Sequence, residues 1–224
     1  MDRRLPTGHP QLDEILGGGF RFGGVSLVYG EASTGKTTVV LASLINRLVA
    51  DPWNKTYFID SDRKLSTRRL TQMIRNPEIL ERLLIWRPES FSEQTLIVED
   101  LADFLINGEV PVVIDSLTGP YRLVAGNLEK TFKANKELNR QLGFLSETAK
   151  TRDTAILITG QVHSIIDRDP PDFEPVAQRL LRYWSDTVLR LEITSIKGVR
   201  QAVIEKPGDE HRACRFRIAD EGME

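Results

Sequence analysis

Five short runs along the chain are apolar without polar alternation: Val25-Ser26-Leu27-Val28-Tyr29, Thr56-Tyr57-Phe58-Ile59, Leu83-Leu84-Ile85-Trp86, Val112-Val113-Ile114 and Ala155-Ile156-Leu157-Ile158. Strands buried on both faces of a parallel sheet read this way. Between them lie longer stretches with helical spacing, at about 36–50, 66–76, 91–107, 128–151 and 175–184. In the third, Leu96, Ile97, Leu101, Phe104 and Leu105 fall on one face of a helix. The repeating strand–helix order predicts an α/β fold, a mostly parallel central sheet with helices on both faces. The last forty residues change character. Val188 to Ile193 alternates with period two, and Gln201-Ala202-Val203-Ile204-Glu205 and Cys214-Arg215-Phe216-Arg217-Ile218 follow, with turn residues at Lys197-Gly198 and Pro207-Gly208-Asp209. These predict antiparallel strands at the C-terminal edge of the sheet. No linker or internal repeat interrupts the pattern, so one domain is expected over residues 1–224.

The first buried run leads into Gly30-Glu31-Ala32-Ser33-Thr34-Gly35-Lys36-Thr37, which fits G-x-x-x-x-G-K-[S/T] between a strand and a helix. Glycines let the backbone wrap a phosphate, and the N–H groups of the loop and helix N-terminus then face the anion. Lys36 is placed to reach the β- and γ-phosphates and Thr37 to ligate Mg²⁺, with Thr38 completing the nucleotide-binding stretch. A carboxylate to hold the magnesium shell is expected at the end of a later buried strand. Asp115, closing Val112-Val113-Ile114, supplies it. Hydrolysis also needs a group to orient or deprotonate water. Asp62, at the end of Phe58-Ile59-Asp60-Ser61-Asp62, is the candidate base and Asp60 the alternative. A loop aspartate capping the helix near 66 is the plainer reading of the same residues. Gln161, ending another buried strand, is placed to hydrogen-bond the terminal phosphate and report its loss.

Composition narrows the class. Formal net charge is −2, with 40% hydrophobic and 28% charged residues, which is ordinary globular composition and excludes a polybasic coat. Local charge matters more than this total. Over 130–140, Lys130, Lys133, Lys136 and Arg140 face one carboxylate, Glu137, for a local +3. Lys133, Lys136 and Arg140 share one helix face, a candidate phosphate-tracking stripe or an ordinary solvated surface. The segment 163–174 sets Asp167, Asp169, Asp172 and Glu174 against Arg168, a local −3 that disfavours a phosphate backbone. The one cysteine, Cys214, excludes an internal disulfide and points to a reducing, cytoplasmic setting. No secretory signal or membrane span is expected. The three histidines are scattered without metal-ligand spacing. Trp53, Trp86 and Trp184 are expected to pack rather than stack on bases.

Taken together the motifs resemble the RecA superfamily, and more narrowly its archaeal RadA/RadB group. Leu5-Pro6-Thr7-Gly8 with Leu12-Asp13-Glu14-Ile15-Leu16-Gly17-Gly18-Gly19 is similar to that group's opening segment. Val28-Tyr29-Gly30 leads into the loop as it does there. Phe58-Ile59-Asp60-Ser61-Asp62 with Arg68-Arg69-Leu70, and Ile114-Asp115-Ser116-Leu117-Thr118 with Tyr121-Arg122, resemble its nucleotide motifs. Asn139-Arg140-Gln141-Leu142, Gln161-Val162-His163 and Phe216-Arg217-Ile218-Ala219-Asp220-Glu221-Gly222 are most similar to the RadB branch.

The resemblance implies an ATP- and Mg²⁺-binding recombinase paralogue that assists homologous recombination and DNA repair, without the N-terminal helical DNA-binding domain of RadA. It puts Asp62 in the place of a catalytic glutamate, Arg69 against the adenine, Gln161 as the phosphate sensor and Lys206 near a neighbour's nucleotide across a subunit interface. The implied partners are DNA, single-stranded and weakly held, a RadA-type recombinase or a repair nuclease, and further copies of the chain. Aspartate is one methylene shorter than the glutamate, and a displacement of about 1 Å costs on the order of 100-fold. Slow hydrolysis is therefore expected. Two other readings stay open: a nucleotide-gated adaptor that barely hydrolyses ATP, and a KaiC-like ATPase outside recombination.

Overall fold

A computed structural model describes residues 3–105, 109–161, 176–208 and 212–224. A small two-stranded sheet pairs β1 (Arg4–Leu5) with β2 (Phe20–Arg21) around α1 (Pro10–Ile15). The main sheet is built from β3 (Gly24–Gly30), β4 (Thr56–Asp60), β5 (Leu83–Trp86), β6 (Val112–Asp115), β7 (Ala155–Gln161), β8 (Thr187–Ile193), β9 (Val199–Lys206), β10 (Ala213–Ala219) and β11 (Gly222–Met223). The helices are α2 (Lys36–Ala50), α3 (Thr67–Met73), α4 (Phe91–Phe104), α5 (Gly119–Val124), α6 (Leu128–Thr151) and α7 (Val176–Trp184). Among the described residues no helix is long and apolar enough to cross a membrane.

The sheet has nine strands in the order β11-β10-β9-β8-β3-β7-β6-β4-β5. All pairings from β8 to β5 are parallel, and those from β8 outward to β11 are antiparallel. The five apolar runs are the five inner and edge strands β3 to β7. Alternate residues of one strand enter opposite cores. Val28, Phe58, Val113 and Leu157 pack with α1 and α2, whereas Leu27, Ile59, Ile114 and Ile158 pack with α4 to α7. Helices on both faces bury the inner strands β3, β4, β6 and β7 almost throughout, which is why their sequences show no alternation.

The strand 187–193 differs from expectation: β8 runs parallel to β3 and only its other edge is antiparallel. Its period-two pattern arises because the second half exposes one face while Thr187, Val188 and Leu189 are buried. Exposure, not strand direction, set that pattern. Helix 66–76 is also shorter, because Ile74 is extended ahead of Pro77, where a 3-10 turn (Pro77–Arg82) begins. Ser66, Ser90 and Asn127 cap α3, α4 and α6 through side-chain oxygens that accept from the third residue on.

The tryptophans divide. Trp86 lies between Tyr57 and Phe104, with ring centroids 4.9 and 5.0 Å away. The Trp184 indole donates to Asn139 at 2.9 Å. Trp53, expected to pack, is instead 93% exposed. Its backbone N–H donates to the Asp51 carboxylate in the α2–β4 turn, which turns the side chain outward. Cys214 packs half-buried at the core edge, and burial pushes its thiol up to about 11.

Candidate nucleotide site

The site forms where the parallel strands end at their carboxyl edges, the place at which open α/β sheets collect ligands. Gly30 ends β3 in register with Leu191 of β8 and Gln161 of β7. At φ +155° it passes so close to β8 that a Cβ there would lie 2.2 Å from the Leu191 carbonyl oxygen. The loop 30–37 is braced within itself and from the sheet. Thr34 Oγ1 donates to the Glu31 carbonyl at 2.9 Å, and Arg200 of β9 donates twice to the Ser33 carbonyl at 3.0 and 3.2 Å. Glu31, Ala32 and Ser33 face solvent at its crest. The Lys36 ammonium folds along the loop and donates to the Gly30 and Glu31 carbonyls at 3.0 and 2.7 Å. Burial lowers its pKa, while the Asp115 and Asp62 carboxylates oppose that shift.

Asp115 ends β6 between two threonines. Thr37 Oγ1 donates to Oδ2 at 2.5 Å, and Thr159 of β7 donates to Oδ1. Burial raises the Asp115 pKa and the two hydroxyl donors hold it down. Thr37 and Asp115 thus place a hydroxyl and a carboxylate together beside the phosphate loop. Both are hard oxygen donors, the chemistry Mg²⁺ takes from a protein when phosphates and water complete its shell. Among the described residues no cluster of three or more His, Cys, Asp or Glu offers a protein-only metal cage. The donor set fits Mg²⁺ carried with a nucleotide.

The two carboxylates near 60 separate cleanly. Asp60 is 1% exposed. It accepts from the backbone N–H groups of Lys64 and Leu65 at 2.9 and 3.1 Å and from Arg87 at 3.1 Å. It builds the turn and is unavailable to water. Asp62 stands over the site instead. Its backbone N–H donates to the Asp115 carbonyl at 3.3 Å, and its carboxylate lies 3.5 Å from Arg122 of α5 and 3.7 Å from Lys64. The segment after Asp115 makes room for it: a Cβ on Gly119 would fall 2.0 Å from Asp62 Oδ1.

Arg69 of α3 reaches across the nucleotide loop. It donates to Thr38 Oγ1 at 3.2 Å and to the carbonyls of Ala219 and Asp220 at 3.0 and 2.9 Å. The backbone of Gln161 pairs with Gly30, but its side chain lies outside the described residues, as do His163 and the acidic segment 163–174.

The basic helix is partly answered within the chain. On α6, Lys133 pairs with Glu129 at 2.7 Å, and Arg140 pairs with Glu99 and Glu137 and lies over the Phe144 ring. Lys130 and Lys136 are exposed. Lys206 lies opposite Val188, at the end of the sheet away from its own phosphate loop, and donates to the Ser185 carbonyl at 2.5 Å. It does not contribute to the loop in its own chain.

Thr159 and Arg200 were not singled out by sequence, and Arg122 was quoted only within a motif, without a role. Thr159 is legible in retrospect as a hydroxyl inside the apolar run of β7. Arg200 comes to the loop through strand register, which sequence spacing does not carry. Tyr29, Arg182 and Glu205 form a further network behind the loop, with Tyr29 Oη donating to Glu205 at 2.7 Å and Arg182 donating to both.

The family model described as Rad51 matches residues 3–224. The chain belongs to the Rad51 family. Among relatives of this Rad51-family chain, the DNA repair and recombination protein RadB of Halobacterium salinarum is 34% identical over 232 residues, covering 100% of this chain and 95% of that protein. The RadB of Methanocaldococcus jannaschii is 33% identical over 219 residues, covering 95% and 98%. A crystal structure of the RadB recombinase superposes with a TM-score of 0.80 at 30% identity, covering 98% of each chain. The RecA-type fold is therefore shown on both sequence and structure.

Proposed function

We propose that this Rad51-family chain is a RadB-like recombinase paralogue that binds ATP with Mg²⁺, hydrolyses it slowly and assists DNA recombination and repair. The observation that carries this reading is the convergence of Lys36, Thr37, Asp115 and Asp62 beyond the carboxyl ends of β3, β6 and β4. In this reading the 30–37 backbone and Lys36 hold the triphosphate. Thr37 and Asp115 would hold Mg²⁺, whose chemistry there would be to offset the negative charge of the phosphates. Asp62 orients a water and takes its proton as the oxygen attacks the γ-phosphorus and the bond to the β-phosphate oxygen breaks. Gln161 senses the γ-phosphate from the end of β7.

DNA binding is weak and single-stranded, and it rests on Lys130 and Lys136, with Lys133 and Arg140 already sharing their charge with in-chain acids. Two polar links join this helix to the catalytic segment. Tyr121 Oη donates to Asn135 of α6 at 2.8 Å, and Gln94 bridges Gln141 of α6 to the Leu117 carbonyl at 2.8 and 3.0 Å. They support a DNA-linked ATPase. Lys206 serves a neighbouring copy, and the further partner is a RadA-type recombinase or a repair nuclease.

The testing experiment is steady-state ATP turnover of the parent chain and Asp62→Glu. The extra methylene gives the carboxylate the reach of the glutamate in whose place the resemblance puts Asp62. Turnover is expected to rise on the order of 10-fold; an unchanged rate contradicts the assignment of Asp62 as the base. The ion pairs of Asp62 with Arg122 and Lys64 favour a second reading, a nucleotide-gated adaptor. Parent turnover no higher than that of Lys36→Ala, with ATP still bound, would select it.

A further inference from the structure

The segment that leaves β6 is held through its backbone at three successive residues. The Asp115 carbonyl accepts from the Asp62 N–H at 3.3 Å, the Ser116 carbonyl from the Gly119 N–H at 2.9 Å, and the Leu117 carbonyl from Gln94 of α4 at 3.0 Å. Inside this frame Ser116 is 2% exposed, and its hydroxyl has no hydrogen-bond partner among the described residues. A buried hydroxyl without a partner costs free energy, so a partner from outside the chain is expected. Gly119 shows where this hydroxyl lies. A Cβ there would fall 2.0 Å from Asp62 Oδ1 and 3.5 Å from Ser116 Oγ. The two oxygens therefore sit side by side against one glycine, yet no hydrogen bond joins them. Water is the smallest group that bonds to both across such a gap.

We infer that Ser116 is a catalytic residue beside Asp62, and that its hydroxyl oxygen holds the second hydrogen of the water that attacks ATP. The inference rests on the reading that Asp62 is the base. The Asp62 carboxylate is close enough to act on the charges of Lys36 and Asp115, so the two oxygens stand on the phosphate side of the site. The water donates one hydrogen to the Asp62 carboxylate and the other to Ser116 Oγ, which leaves a lone pair free for the γ-phosphorus. As the new P–O bond forms and the bond to the β-phosphate oxygen breaks, the first proton passes to Asp62. The second stays on the attacking oxygen, which ends in the product phosphate. A carboxylate alone leaves the water free to turn about a single hydrogen bond. A second fixed partner removes that freedom, which is how a positioned reactant gains rate. The other polar groups nearby are already engaged: Thr37 and Thr159 donate to Asp115, and Arg122 and Lys64 flank Asp62.

The test compares the parent chain with Ser116→Ala, Ser116→Cys, Asp62→Asn and the combination of Asp62→Asn with Ser116→Ala. ATP turnover is read at saturating Mg·ATP, ATP affinity by calorimetric titration, and stability by urea unfolding without nucleotide or Mg²⁺. Both Ser116 changes are expected to lower turnover about 10-fold, the worth of one hydrogen bond, and to leave ATP affinity within about 2-fold. Ser116→Cys keeps the side chain's shape and replaces its oxygen with a poor acceptor, so it reads the loss independently of any cavity. The unfolding midpoint of Ser116→Ala is expected to hold or rise, because the change removes a buried hydroxyl that has no partner. Asp62→Asn is expected to lose turnover on the order of 100-fold, and adding Ser116→Ala to it to cost nothing further. Unchanged turnover in the Ser116 variants, or a loss matched by weaker ATP binding or by a lower unfolding midpoint, would overturn the role of Ser116. With Asp62→Asn still inactive, Asp62 would stand as the base. Turnover retained by Asp62→Asn would overturn the base and this inference together.

Discussion

Lys36→Ala is expected to reduce ATP turnover by on the order of 100- to 1000-fold while the fold stays intact. Lys36 is the cation of the phosphate loop, and it is held among the Gly30 and Glu31 carbonyls with Asp115 and Asp62 nearby. In the proposed function its ammonium stabilises charge that develops on the terminal phosphate oxygens. Removing one such preorganised donor costs roughly that factor. The fold is expected to tolerate the change, because burial already disfavours the charged amine and alanine is the best helix former for the first position of α2. Circular dichroism and thermal unfolding check the second half of the expectation. A turnover within a few-fold of the parent would place hydrolysis elsewhere.

Asp115→Asn is expected to act with opposite signs on function and stability. Turnover should fall on the order of 100-fold, because the amide lacks the charge that holds Mg²⁺ in the proposed function. Stability should rise or hold. Burial raises the Asp115 pKa in the folded chain, so the folded state favours the protonated carboxyl. The stabilisation attached to that preference is complete below the unfolded pKa of the group and is lost as pH rises through the raised folded pKa. Asparagine has no such loss. The stability gap between variant and parent should therefore open as pH rises across that window and stay constant above it. Urea unfolding of both chains at several pH values, in the absence of nucleotide and Mg²⁺, reads this directly. A variant less stable than the parent at neutral pH would contradict the account.

How much of this was legible in the sequence follows from which interactions are local. The buried runs gave β3 to β7, because strands covered on both faces have one readable signature. The phosphate loop was legible because its function needs fixed residues at fixed spacing. Asp115 was legible because it ends a strand of that kind. The direction of β8 was not, because period-two alternation reports which face is wet and says nothing of the neighbour's direction. Asp60 and Asp62, two residues apart, were separable only when the turn showed that Asp60 is consumed by Lys64, Leu65 and Arg87. The pairing of Lys133 and Arg140 with acids was half visible: Glu129 and Glu137 lie on the same helix, but Glu99 reaches Arg140 from α4. Arg69 shows the same limit. Its partners at 219 and 220 are 150 and 151 residues away in sequence.

The proposed function requires that the nucleotide site be coupled to DNA through α6. The most direct measurement is ATP turnover with and without single-stranded DNA at low salt, with Lys36→Ala as the blank. The expected result is a slow basal rate above the blank that single-stranded DNA raises. A rate at the blank that DNA does not move, despite bound ATP, would contradict it.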